Sequence, residues 1–170
     1  MSTFGANASA ILLRDLGALR RELDAYPDDD SVWVLPGSLP NSAGTLVLHL
    51  CGNLRHFIGA RLGGSAYVRD REREFGARGI PRDVLRADIA EAETAVAGAL
   101  PALSDAALEA PYPDRLGNHT YGTADFILHL CSHFAYHLGQ IDYHRRIVTG
   151  QHVGIGAVAP SALRTATLIG

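Results

Sequence analysis

The sequence predicts an all-α protein built as a bundle of four helices. Apolar residues recur at spacings of three and four in four separate segments, proline and glycine fall between those segments, and no stretch alternates as a half-buried strand would. At 170 residues, 47% hydrophobic and 19% charged, the chain suits one domain able to bury a core without disulfide or metal staples.

The first helix is read from about Phe4 to Tyr26, where Ile11, Leu12, Leu16, Leu19 and Leu23 line one face and Pro27 ends it. Val32 to Gly37 is short, apolar and closed by proline and glycine. It reads as an ordered loop over the core, with Trp33 as a hydrophobic plug. Asn41 or Ser42 caps the second helix, which ends near the paired Gly63 and Gly64. Residues 64–80 mix both signs of charge with glycine and read as a long connection between helices two and three, with the charges as a solvated surface. Pro81 opens the third helix, through Val84, Leu85, Ile89, Ala92, Val96 and Leu100, and Pro101 closes it; Ser104 to Leu108 adds a single turn. Pro111 to Gly122 is a loop holding a surface histidine, His119, and Thr123 caps a fourth helix that runs without proline to Thr149. Residues 1–150 are thus the bundle, and the apolar, small-residue tail 151–170 is expected to pack on it or on a second subunit.

Charge and composition narrow the function classes. A net charge of −3 with no extended Lys/Arg run argues against nucleic acid as a partner. No apolar run is long enough to span a bilayer, and the first residues lack the basic start of a secretory signal. Cys51 and Cys131 have no Cys-x-x-Cys partner and read as small buried residues in a reducing, cytoplasmic setting.

The fourth helix carries the chemistry. With His129 at zero on a helical wheel, His133, His137, Gln140 and His144 fall at about 40°, 80°, 20° and 60°, and Phe126 at about 60°. One face, expected to turn inward, therefore bears a column of imidazoles, and buried imidazoles need partners. Their spacing of one turn lets two of them reach a single divalent ion, or lets them merely hydrogen-bond to neighbours. On the second helix His49 sits among apolar neighbours, with Asn53 about 40° and His56 about 20° away on the same wheel. His49 is the inward candidate, and His56, beside Arg55, is placed at the rim of the cavity. Two such helices can set His49 opposite His133 and His137, giving three nitrogen ligands and an open position, the pattern of a catalytic rather than a structural metal.

These motifs resemble the DinB/YfiT-like superfamily of small metal-binding four-helix bundles. The likeness rests on the Ser42 to Leu50 segment holding His49, on His133-x-x-x-His137-x-Gly139-Gln140, and on helix order over most of residues 5–150. It implies an up-down-down-up bundle, often a homodimer, with His49, His133 and His137 holding nickel, zinc or manganese. It further implies a low-molecular-weight thiol such as mycothiol, bacillithiol or glutathione as co-substrate in small-molecule S-transfer. The sequence departs from the family in lacking a tryptophan just before Ser42, and in the additional His129, which either orients a ligand or stands in for His49. Gln140 is placed on the histidine face as a hydrogen-bonding residue. The expected function is a divalent-metal-dependent thiol S-transferase acting on small electrophiles. The alternatives are a metal-dependent hydrolase, which has no Asp or Glu on the histidine face to serve as base, and a non-catalytic metal-binding or structural bundle.

Overall fold

The computed structural model describes residues 2–169. Its helices are α1 (Thr3–Asp24), α2 (Ala43–Leu54), α3 (Arg71–Gly76), α4 (Arg82–Ala99), α5 (Asp105–Glu109) and α6 (Thr123–Thr149), and the described residues pair as strands only in two isolated bridges. The four longer helices pack as a bundle in which α1 and α2 each touch both α4 and α6.

Helix α1 follows its sequence pattern. Ser2 caps it by accepting from the Phe4 amide, and Leu12, Leu16, Leu19 and Leu23 are buried in the core. Burial of each such leucine contributes about 1.5–3 kcal/mol. Facing them, α4 contributes Leu85, Ile89, Ala92 and Val96, while α6 contributes Ile127, Leu130, Phe134, Leu138 and Ile141.

Helix α2 is the innermost element. Of the two candidate caps Ser42 is the one used, its Oγ accepting from the Thr45 amide at 3.2 Å. Every residue from Ala43 to Leu54 is buried, so α2 has no solvated face at all. Two coverings explain this. Trp33 lies over Gly44 and donates its indole N–H to the Ile80 carbonyl at 3.1 Å, acting as the plug its loop predicts; a Cβ at Gly44 would stand only 2.7 Å from the indole ring. On another side, the connection between α2 and α4 folds back as α3.

That connection departs from the solvated surface expected of it. Asp70 caps a short helix by accepting from the Arg73 amide, and this helix buries Glu74 against α2. A carboxylate enters a protein interior only when paired, and here Arg69 meets it with both Nε and Nη2, at 2.7 and 2.8 Å.

Beyond Leu54 the chain continues helically, but Arg55–Ala60 is a π-helix. The wider turn rotates every later side chain away from its α-helical wheel position. Tyr112, from the loop after α5, donates its hydroxyl to the Phe57 carbonyl in this segment at 2.7 Å. Gly122, rather than Thr123, occupies the N-cap position of α6, and the Thr123 hydroxyl instead donates to the Ala110 carbonyl. Gly150, at φ 70°, terminates α6 in the left-handed conformation that glycine adopts without strain.

A polar network ties the far end of α6 to α1. Arg145 is fully buried and pairs with Glu22 and Asp142, while its Nη2 also donates to the Val153 carbonyl. Arg146 donates to the His152 carbonyl and Arg21 to that of Ile155, so the first residues of the tail run back along α1. Leu168 and Ile169 at its end are exposed. No helix among the described residues is long and apolar enough to cross a membrane.

Candidate metal centre

The buried stripe of α6, from Ile127 to Ile141, is centred about 140° from His129 on the helical wheel. His133 and His137 therefore stand on its flank, half-buried at the mouth of the α2–α6 groove rather than inside the core, and His129 is exposed. From the facing wall, α2 presents His49, buried at 7% exposure. The three imidazoles converge. His49 Nε2 lies 3.3 Å from His133 Nε2, ring centroids stand 5.2, 5.3 and 4.6 Å apart, and the planes are steeply inclined to one another. One nitrogen from each ring lies within 4.8 Å of the other two, close enough to share one ion.

Hydrogen bonds outside the cluster orient two of the rings. Glu74 Oε2 stands 3.1 Å from His49 Nδ1. Because a carboxylate only accepts, Nδ1 carries the proton and Nε2 keeps its lone pair toward the other histidines. Arg69 Nη2 also approaches Nδ1 at 3.3 Å, but its shorter bond, at 2.8 Å, is to Glu74. Burial pushes the Glu74 carboxyl up, yet hydrogen bonds and charge from Arg69 and His49 bring it below the usual carboxylate range, so it stays ionised. Gly52 makes the arrangement possible: a Cβ there would lie 2.3 Å from Glu74 Oε1. On α6, Gln140 Oε1 lies 2.6 Å from His137 Nδ1 and accepts a hydrogen bond from Nδ1–H, which leaves Nε2 as the lone-pair nitrogen of that ring.

Electrostatics favour neutral rings. Burial, reinforced by His137, His49, His129 and Arg69, pulls His133 down to about 4. Burial also lowers His137; the Gln140 bond opposes this and the nearness of His49 adds to it. Both rings therefore offer unprotonated nitrogen at neutral pH, as metal ligation requires. A divalent ion fits this donor set. Three imidazoles, one backed by a buried carboxylate and one by an amide oxygen, form the nitrogen-rich arrangement preferred by late first-row metals.

The remaining sequence-predicted residues spread around this centre. Asn53, one turn beyond His49, is buried with its Oδ1 lacking a hydrogen-bond partner, an orphan acceptor beside the cluster. His56, near the start of the π-helix, faces Asp114 at 3.5 Å and is not one of the three converging rings. His129 packs against Phe126 and lines a separate cleft with Leu116, Tyr121 and Asp125. His144 shares the wheel position of the histidines but lies two turns, about 10 Å, beyond His137. It donates Nε2–H to the Val34 carbonyl and accepts from the Tyr26 hydroxyl, a structural tie. Burial raises both thiols, Cys131 to about 11, so neither cysteine is an activated nucleophile.

A family model described as Protein of unknown function (DUF1572) matches residues 10–160. The chain belongs to the DUF1572 family. No curated protein and no solved structure matches it. In this DUF1572 chain the match spans both histidine-bearing helices and α3. Sequence reasoning missed Arg69 and Glu74. The available signal was Glu74 beside Phe75 just after a capping Asp70, a buried turn hidden in a charge run.

Proposed function

We propose that this protein is a divalent-metal-dependent enzyme of the DinB/YfiT-like kind, in which His49, His133 and His137 hold the ion and a low-molecular-weight thiol is transferred to a small electrophile. The convergence of three imidazoles, whose ligand nitrogens lie within 4.8 Å of one another, with His49 backed by buried Glu74, carries the reading. Nickel, zinc or manganese suits such a site, and the up-down-down-up helix order and homodimer of DinB-like proteins go with the proposal. A bound ion supplies Lewis acidity that stabilises the anion of a thiol or water at neutral pH.

The chain's own groups do the rest. Glu74 and Gln140 fix the tautomers of His49 and His137, and burial keeps His133 unprotonated. S-transfer forms a carbon–sulfur bond, breaks the bond to the leaving group and releases the thiol proton to solvent. Hydrolysis is disfavoured because Glu74, the carboxylate nearest the ligands, is spent on Arg69 and His49 and has no freedom to act as base.

The test is elemental analysis of untagged protein purified without chelator, beside His49→Ala and His137→Ala. About one divalent ion per chain is expected, lost in both variants while circular dichroism is unchanged. A folded protein that takes up no metal on reconstitution refutes the metal site. A loaded protein inert toward mycothiol, bacillithiol and glutathione with every electrophile refutes the transferase.

A further inference from the structure

A cleft of about 170 Å³ opens between the start of α2 and the second half of α6. Its walls are Leu39, Pro40, Leu46, Tyr143 and Ile147, with Asn41, Gln140 and His144 supplying the few polar atoms. Its position joins it to the histidine cluster at two points. Leu46 is one turn before His49 on α2, and Gln140 both lines the cleft and holds His137 Nδ1 at 2.6 Å. His144 has both ring nitrogens bonded, so it offers no hydrogen-bonding site to a ligand. One end of the cleft is thus polar and reaches His137 through Gln140, although no ligand histidine lines it, while the rest is aliphatic. Leu39, Tyr143 and Ile147 are exposed, so the cleft is an open apolar surface beside the candidate metal rather than a sealed core void.

We infer that this cleft is the subsite for the apolar part of the substrate, taking an unbranched alkyl chain or phenyl group of about six carbons whose reactive head points at His49 and His137. An enclosed apolar cavity of about 150 Å³ holds benzene, which gives the scale of the group that this open cleft would cover. The aliphatic lining selects against charged groups, whose desolvation nothing in the cleft would repay. The inference rests on the metal-and-thiol reading for the direction of the head, but the cleft can be probed without it.

Two arms separate the two ideas. In metal-free protein, hexan-1-ol is titrated and followed by methyl NMR; selective shifts at Leu39, Leu46 and Ile147 are expected, and shifts elsewhere or none overturn the subsite. In cobalt-loaded protein, the visible spectrum is titrated with ethanethiol, butanethiol, hexanethiol and octanethiol. Each added methylene should tighten binding about fourfold as far as hexanethiol and then stop. Over that range the ratio of hexanethiol to ethanethiol affinity approaches about 200, and Leu39→Asp and Ile147→Asp should cut it below about tenfold. A ratio near one in the wild type, or a ratio untouched by both variants, overturns the subsite. Hexan-1-ol binding in the cleft while no thiol perturbs the cobalt spectrum supports the apolar subsite and refutes the thiol chemistry.

Discussion

Replacing Glu74 by glutamine keeps the side-chain volume and removes the charge behind His49. In the wild type this carboxylate accepts from His49 Nδ1 at 3.1 Å and is gripped by Arg69 at 2.7 and 2.8 Å, all in a position 3% exposed. Two consequences follow. The His49 ring loses the carboxylate that fixes its tautomer and orientation, and loss of such a partner elsewhere lowers metal affinity by about 10–100-fold, or about 1.4–2.7 kcal/mol. Arg69, 9% exposed at its side chain, loses its anionic partner, and breaking a buried pair costs about 3–5 kcal/mol at most. Because Glu74 is held below the usual carboxylate range, it stays charged from mild acid upward, so the defect should persist across that range. Competition against a chromophoric chelator measures the first effect and urea denaturation of metal-free protein the second. Glu74→Gln binding zinc as tightly as wild type would refute the role of the carboxylate in orienting His49, whatever happened to stability.

Gly52→Ala should reproduce part of this defect without touching an ionisable group, since its Cβ would lie 2.3 Å from Glu74 Oε1; unchanged metal affinity and stability would show that Glu74 shifts freely. Gly44→Ala should destabilise by about 1–3 kcal/mol and red-shift fluorescence, because Trp33, the only tryptophan, must leave its seat on α2. Arg145→Met removes the buried partner of Glu22 and the bond to the Val153 carbonyl. A loss of about 3–5 kcal/mol and faster proteolysis of the tail are expected, and a protease pattern like wild type would count against Arg145 as the anchor. Metal-free protein should weaken in acid. Burial holds His133 near 4 and lowers His144, whereas unfolded histidine titrates near 6.5. The unfolded chain therefore binds more protons, so this stability is complete above about pH 6.5 and is lost toward pH 4, at up to about 1.4 kcal/mol per pH unit per histidine. Urea midpoints that do not move between pH 7.5 and 5, on the order of two pH units, would refute it.

The helices were legible in the sequence because their signals are local. The leucines of α1, the Pro81 start of α4, the Ser42 cap and the proline-free run to Thr149 each act through neighbours within a turn or two. The His133/His137 pair was legible for the same reason, since one helical turn fixes their separation. Pairing them with His49 rested on two inward faces that a bundle can set opposite each other, with the resemblance pointing the same way, because nothing local says which helix faces which.

Only the tertiary structure decided the rest. A wheel drawn at 100° per residue cannot foresee the π-helix at Arg55–Ala60, whose Phe57 carbonyl is met by the Tyr112 hydroxyl from a loop 55 residues on. Equal wheel positions cannot separate His137 from His144, whose surroundings differ because one faces α2 and the other Tyr26 and Val34. Glu74 illustrates the limit best. In sequence it is one charge in a run of alternating signs, and such runs are solvated unless a partner is waiting inside. The partners are Arg69 in its own loop and His49, 25 residues earlier, with Gly52 leaving the space. Composition and periodicity fix which side chains an element presents; whether a charge is buried depends on what the fold brings to meet it.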